Sequence, residues 1–402
     1  MKVLKVVLAV AAVCSMPDWN QANGQETIRY ADLVQRLVDL RQPAILPVPG
    51  ETCRQWSSWD RSSGYDSETD KYVKWAANKD GANFIRSEGD QVVMAQMKGP
   101  GCIWRIWAAQ ALDGHIKIYL DDSDTPAVDL PFKEFFSGDT APFDYPMLSC
   151  SLADHGSSGL NLYFPIPYQK SCRIVADKGW GRYYQVGFTT FSPDTNVPTF
   201  STQVAAENAP ALAHADSYLR RRMERAVRAT MPDATPVPLS TVVRAGETIE
   251  VARLKGPRAI TQIAANMDFG DRRDEMAALR EMCLQITFDG QSRPAVWCPL
   301  GDFFGTAPGR NLYTSLPTCM TESGFSASWY MPFGETAVVE LVNDGSADRR
   351  ISISVRDVPL GRPFKGLGHF HCKWHRDTEA LPEDRWPDWI LLKTEGRGRY
   401  LG

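Results

Sequence analysis

The sequence predicts a mainly β protein: tandem jelly-roll (β-sandwich) domains with a helical connector between them. Three observations carry this. The composition is aromatic and rich in turn formers, with 30 glycines, 27 prolines and 12 tryptophans among 402 residues, a mix that suits many short strands better than helical bundles. Apolar residues alternate at period two in runs such as Ile116-Lys-Ile-Tyr-Leu120, as a half-buried strand requires. Most informative, the chain repeats itself.

Lys98-Gly-Pro-Gly-Cys-Ile-Trp-Arg-Ile-Trp107 recurs as Lys255-Gly-Pro-Arg-Ala-Ile-Thr-Gln-Ile-Ala264. Ile118-Tyr-Leu-Asp-Asp122, Pro126-Ala-Val and Pro131-Phe-Lys-Glu-Phe-Phe136 return, all three at one shared offset, as Ile286-Thr-Phe-Asp-Gly290, Pro294-Ala-Val and Pro299-Leu-Gly-Asp-Phe-Phe304. Ser158-Gly159 and Pro165-Ile-Pro-Tyr168 match Ser323-Gly324 and Tyr330-Met-Pro-Phe333 at a slightly shorter offset. These blocks keep one order and define two units, residues 50–195 and 240–358, with Asp121-Asp122 and Asp289-Gly290 as turns after strands.

In chain order, residues 1–24 read as a secretory signal: two lysines by position 5, then the apolar run Val6–Val13, which is too short to span a bilayer. A small-x-small site at Ala22-Asn23-Gly24 completes it, and the expected localisation is secreted or periplasmic. Cys14 raises a lipoprotein alternative, disfavoured because Val13 precedes it. Residues 25–49 form an N-terminal helix and linker, with Leu33, Val34, Leu37, Val38 and Leu40 at helical spacing. Residues 196–239 form the connector, with a helix expected over Ala205–Thr230 whose Arg220–Arg222 cluster is a solvated face.

With 44 Lys and Arg against 48 Asp and Glu, the net charge is −4, so no basic excess exists to attract a nucleic acid. Cys-x-x-Cys spacing is absent, and Cys102, Cys172, Cys283 and Cys298 sit in apolar runs as small buried hydrophobes, leaving one or two disulfides open. Phosphate loops, Gly-x-Ser-x-Gly and His-Glu-x-x-His are absent too.

Two clusters carry candidate chemistry. In Gln55–Asp66, Trp59 offers a flat face to a sugar ring, and Asp60, Arg61 and Asp66 offer charge-assisted hydrogen bonds to hydroxyls; the bland alternative is a turn with Trp56 as a core plug. In His369-Phe-His-Cys-Lys-Trp-His-Arg376, three histidines invite a metal, but no third ligand or supporting shell is identifiable, so neither metal nor cofactor is expected. Glu134 and Asp302 precede Phe-Phe pairs at equivalent repeat positions, which favours a structural role.

Together the motifs resemble glycoside hydrolase family 172, formerly domain-of-unknown-function family 2961. The resemblance rests on Ser57-Ser-Trp-Asp-Arg61, Gly99–Trp107, Pro131–Phe136, Tyr163-Phe-Pro-Ile-Pro-Tyr168, Tyr183-Tyr-Gln185, Phe370–Arg376 and Gly396-Arg-Gly-Arg-Tyr-Leu-Gly402. It implies jelly-roll domains, trimers or larger homo-oligomers, an oligo- or polysaccharide substrate, and relatives acting on α-fructofuranosides and α-D-arabinofuranosides. It also implies that Trp59, Asp60, Arg61, Asp66, Arg105, His371, Trp374 and Arg376 line or support a sugar site. The family's two catalytic glutamates lie in Gly-Glu-Gly-acidic and Gly-Thr-Gly-Thr-Glu-Asp-Tyr motifs that follow the segment like Gly396–Gly402, and neither motif occurs here. No residue of this chain therefore inherits a catalytic role.

The expectation is the N-terminal part of a secreted glycoside hydrolase, with residues 359–402 starting a third, truncated jelly roll and 386–402 a poorly supported strand. A retaining two-carboxylate mechanism is expected only in the full-length protein. The alternative is a non-catalytic glycan-binding or structural scaffold, with a capsid-like assembly as a distant third.

Overall fold

The computed structural model describes residues 26–69, 71–74, 77, 79–151, 159–225, 235–376 and 391–401. The signal-type segment, Ser158, residues 226–230 of the expected connector helix and 386–390 of the expected last strand lie outside them.

The first unit comprises strands β1 Thr52–Ser57, β2 Gly64–Asp66, β3 Lys71–Val73, β4 Arg86–Glu88, β5 Gln91–Lys98, β6 Gly101–Ala111 and β7 His115–Leu120. It continues with β8 Val128–Pro131, β9 Ser149–Ser151, β10 Leu160–Leu162, β11 Ile166–Tyr168, β12 Ser171–Asp177 and β13 Gly181–Thr190. One sheet runs β1-β13-β6-β10-β9 with β11 beside β6, the other β4-β5-β12-β7-β8, and β2 pairs β3 separately.

The second unit comprises β14 Thr235–Val243, β15 Thr248–Lys255, β16 Arg258–Met267, β17 Met282–Phe288, β18 Val296–Pro299 and β19 Tyr313–Thr314. Then follow β20 Thr318–Thr321, β21 Gly324–Ala327, β22 Met331–Phe333, β23 Thr336–Asn343, β24 Arg349–Pro359 and β25 Cys372–Lys373. Its sheets run β14-β24-β16-β21-β20-β19, with β22 beside β16, and β15-β23-β17-β18-β25. The chain is thus mainly β and built of two sandwiches, as the sequence predicts.

The alternation that predicts these strands is the alternation that fills the cores. Along β7, Ile116, Ile118 and Leu120 are buried between half-buried neighbours, and β23 repeats the pattern along its whole length. Each apolar side chain so buried contributes about 1.5–3 kcal/mol. One core holds Phe132, Phe135, Phe136 and Phe143; the other holds Phe288, Phe304 and Phe333. The repeated Phe-Phe pairs pack edge-on in both units, with ring centroids 5.0 and 5.3 Å apart. Cys102, Cys172, Cys283 and Cys298 are buried without disulfides, in keeping with their reading as small hydrophobes.

The helices are shorter than their periodicity suggests. Helix α1 spans Tyr30–Arg36, and the connector is α2 Thr202–Glu207 and α3 Ala209–Arg225, where the periodicity predicts one helix. The break falls at Asn208, which closes α2 (φ −108°, ψ 15°) and whose side-chain amide donates to the Val204 carbonyl; asparagine competes for backbone partners in this way.

The largest insertion between the units lies between β16 and β17. Lys255 follows Lys98 at a shorter offset than the one shared by the blocks after it, and the extra residues form α4, Arg272–Glu281, capped by the Asp271 carboxylate on the Asp274 N–H at 2.9 Å. After the second sandwich the chain returns to the N-terminal linker: Leu46 N–H donates to Gly366 and Gly368 N–H to Ala44.

The strand expected at the end is corrected. Residues 391–401 form none. Among the described residues the segment pairs with no sheet edge, and the Arg399 side chain donates to the Ile45 carbonyl (3.0 Å) and to Glu51 (2.8 Å).

Candidate functional site

Beyond β1 the chain turns through Ser58–Ser63. Asp60 is buried and braces this turn: one carboxylate oxygen accepts from the Ser62 N–H (3.0 Å) and hydroxyl (2.8 Å), the other from the Lys79 N–H (3.0 Å). The Ser62 and Lys79 bonds hold its carboxyl below the usual range. Asp66 does the same for its own turn, accepting from Thr69 and Glu68. Arg61 donates to the Ser57 and Trp59 carbonyls and lies 5.7 Å from the Trp59 ring centroid, while Trp59 stays 43% exposed. The two aspartates shape the loop, and the tryptophan is what the loop presents.

Next to it lies the outer face of the β1-β13-β6-β10 sheet. Ser57 pairs with Gln185 on β13, and Gln185 with Trp107 on β6, so these side chains share one face. Arg105 lies two positions along the same strand. It donates to the Gln185 side chain (2.9 Å) and the Asn161 side chain (3.2 Å), between the rings of Trp107 (5.9 Å) and Tyr163 (5.7 Å). Among the described residues no carboxylate lies within 4.0 Å of its guanidinium, and its buried Nε has no acceptor. A half-buried cation with no carboxylate partner among the described residues, flanked by aromatics and amides, is a ready receptor for an acceptor-rich ligand.

Tyr183, also exposed, adds a fourth ring. Its backbone is left-handed at φ 55°, its N–H donates to Gly81, and Gly81 in turn donates to Ser58 beside Trp59. Strained backbone of this kind gathers at functional sites.

The remaining candidates stand elsewhere. Trp374 and Arg376 line a cleft of about 560 Å³ on the second sandwich, with Arg280, Glu281, Cys283, Trp297, Pro299 and Asp344. His371 precedes β25; partial burial and then the His369 and Lys373 charges hold its imidazole below the usual histidine value. His369 bonds Asp289 (2.9 Å) and stacks on Phe288 and Phe364. Among the described residues no group of three His, Cys, Asp or Glu side chains is placed to hold a metal. Asp302 braces Arg280 at 2.8 Å, whereas Glu134, its repeat equivalent, is exposed.

Trp59, Asp60, Arg61 and Arg105 therefore converge on the first sandwich, and His371, Trp374 and Arg376 belong to the second. Sequence reasoning misses Asn161, Tyr163, Tyr183 and Gln185. Three of these fall in the quoted motifs; the missing signal is strand register, which alone sets Asn161, Tyr163 and Gln185 beside Arg105.

No helix among the described residues is long and apolar enough to cross a membrane. No curated protein matches the chain in sequence. Among solved structures, the major capsid protein P2 from Bacteriophage PM2 is 8% identical, with 76% of this chain and 97% of that chain covered at a TM-score of 0.21. The STIV MCP is 7% identical over 76% and 97% at 0.20, and AerE from Microcystis aeruginosa 8% identical over 66% and 88% at 0.13. None superposes well, and none bears on function. Family models are specific where these are not: the model described as GH172 first beta-sandwich domain matches residues 49–208, and that described as GH172 domain-like matches 236–355. Both sandwiches carry the family's signature, and the chain belongs to glycoside hydrolase family 172.

Proposed function

We propose that this chain binds furanose-containing oligo- or polysaccharides on the outer face and adjoining loop of its first sandwich, as part of an exported enzyme of the α-D-fructofuranosidase or α-D-arabinofuranosidase kind. The observation that carries the reading is Arg105, without a carboxylate partner among the described residues, set between Trp107 and Tyr163 on the sheet face that the loop of the exposed Trp59 adjoins. Sugar rings offer an apolar face to indole and a ring of hydroxyl acceptors to a guanidinium fork.

In this proposal Trp59 and Arg105 touch the ligand, Arg61 fixes the Trp59 ring, and Asp60 and Asp66 hold the loops. Hydrolysis with retention needs two carboxyls about 5–5.5 Å apart. It belongs to the family's two acidic motifs, neither of which occurs in residues 1–402, so binding is the activity proposed for these residues themselves. Export rests on the N-terminal charge and apolar pattern, and assembly as a trimer or larger ring on the family resemblance alone.

Calorimetric titration with α-fructofuranosyl and α-arabinofuranosyl oligosaccharides tests the reading. Saturable binding that Trp59→Ala weakens without lowering the melting temperature supports it. A folded protein that binds neither probe leaves a purely structural scaffold.

A further inference from the structure

The internal repeat supplies its own control for the second sandwich. Strand β18 is the counterpart of β8, and the repeat sets Trp297 where the first unit has Asp129; by the same offset Cys283 on β17 takes the place of His115 on β7. Register confirms the equivalence, since His115 pairs with Pro131 and Cys283 with Pro299. In the first unit this corner carries a side-chain hydrogen bond, His115 Nδ1 to Asp129 at 2.6 Å. In the second unit the same corner opens into the 560 Å³ cleft.

The main walls of that cleft depart from the repeat. Trp297 replaces an aspartate and is 41% exposed. Arg280 and Glu281 come from α4, the insertion absent from the first unit. Trp374 follows β25, a parallel strand added to β18 with no counterpart beside β8 among the described residues.

These walls are held before any ligand arrives. Trp374 N–H donates to the Trp297 carbonyl, and Cys372 N–H to Ala295. The Arg280 guanidinium lies 5.1 Å from the Trp374 ring centroid and is tied to Asp302 at 2.8 Å. A scaffold position that exchanges a hydrogen-bonded His-Asp pair for an exposed indole and a preorganised rim is built to receive something.

We infer that this cleft is a second, independent sugar-binding site that takes a neutral furanose or pyranose ring stacked on Trp297. Its size falls within the range of about 300–1,000 Å³ usual for small-molecule sites. Arg280 and Arg376 line it together with Glu281 and Asp344, so the rim selects no single charge. Guanidiniums that only donate and carboxylates that only accept suit hydroxyls, which do both. The ligand class rests on the carbohydrate reading above; the position rests on the repeat comparison. The chain is thereby bivalent, with one site on each sandwich.

Calorimetric titration with an α-arabinofuranosyl hexasaccharide tests this, with wild type, Trp59→Ala, Trp297→Ala and Trp297→Asp compared after their melting curves are matched. The expected result is two sites per chain in wild type, with either Trp297 variant weakening one about tenfold, near the upper end of what an aromatic face contributes beyond its buried area, while Trp59→Ala leaves that site intact. Two undiminished sites in both Trp297 variants would overturn the inference. One site that only Trp59→Ala removes overturns it too and leaves the first-sandwich reading standing. One site that only the Trp297 variants remove supports the cleft and sinks the first-sandwich reading. Binding by neither wild type nor variants overturns both.

Discussion

Asp121 and Asp289, equivalent positions of the internal repeat, do the same work in the two sandwiches. Each follows a core strand in a left-handed conformation, at φ 53° and 49°, and each carboxylate gathers three consecutive backbone N–H groups of the facing hairpin. Asp121 accepts from Gln169, Lys170 and Ser171, and Asp289 from Gly334, Glu335 and Thr336, at 2.6–3.2 Å. The same hairpins also accept at 2.6 Å from Gly99 and Gly256, which open the Gly-Pro pairs of the repeat. Asparagine and aspartate tolerate the left-handed region better than other side chains, but only a charged acceptor satisfies three donors this strongly.

Replacing Asp289 by alanine leaves those three N–H groups without their acceptor and removes one of the two hydrogen-bond partners of His369, the other being Gln291. The expected cost is about 2–4 kcal/mol, read as a lower urea midpoint. A loss below about 0.5 kcal/mol would show that water replaces the carboxylate.

The same pair sets an acid limb. Burial pushes both carboxyls up, but the backbone bonds outweigh it, joined by the Thr199 hydroxyl at Asp121 and by His369 at Asp289, so both titrate below the usual aspartate value. A carboxyl lowered on folding contributes stability above its unfolded pKa and loses it as pH falls through the folded one. Melting temperature is expected to drop steadily below about pH 4. The double Asp121→Asn, Asp289→Asn variant starts lower at neutral pH and shows a flatter limb; an unchanged slope would assign the acid sensitivity to other groups.

Gly81 ties the Trp59 loop to Tyr183. A Cβ there meets the Tyr183 ring at 2.9 Å, and φ is +106°. Gly81→Ala is expected to cost about 1–3 kcal/mol and to shift the Trp59 emission maximum. Gly89→Ala, at φ +60° with nothing within 4 Å, is the control for backbone strain alone.

Arg105→Lys keeps the charge but loses the planar fork that reaches Gln185 and Asn161. Sugar affinity on the first sandwich is expected to fall about tenfold with little change in stability. Equal affinity would mean that Arg105 serves packing alone.

Arg349 is buried and joins α4 to β24 through Asp274 (2.5 Å) and Glu281 (3.3 Å). Arg349→Met strands two partly exposed carboxylates at a cost of about 2–3 kcal/mol. Differential scanning calorimetry is expected to place the whole loss in the second sandwich's transition.

The amino-acid sequence by itself determined the class, the repeat and the cores, because period-two burial and turn chemistry are local and write themselves into residue order. It marked Trp59 and Arg105 for the same reason, as unusual residues within recognisable motifs. Three things only tertiary structure decided. Asp60 and Asp66 read as ligand groups; that Asp60 accepts from Ser62 and the distant Lys79, and Asp66 from Glu68 and Thr69, is decided by the fold. Asn161, Tyr163 and Gln185 join Arg105 through strand register, which pairs residues far apart in the chain. Trp297 and Trp374, equally distant in sequence, meet because β25 adds in parallel to β18. Backbone pairing across sheets carries no periodic trace in the chain, so the first cluster was half legible, and of the second cleft the sequence marked only Trp374 and Arg376.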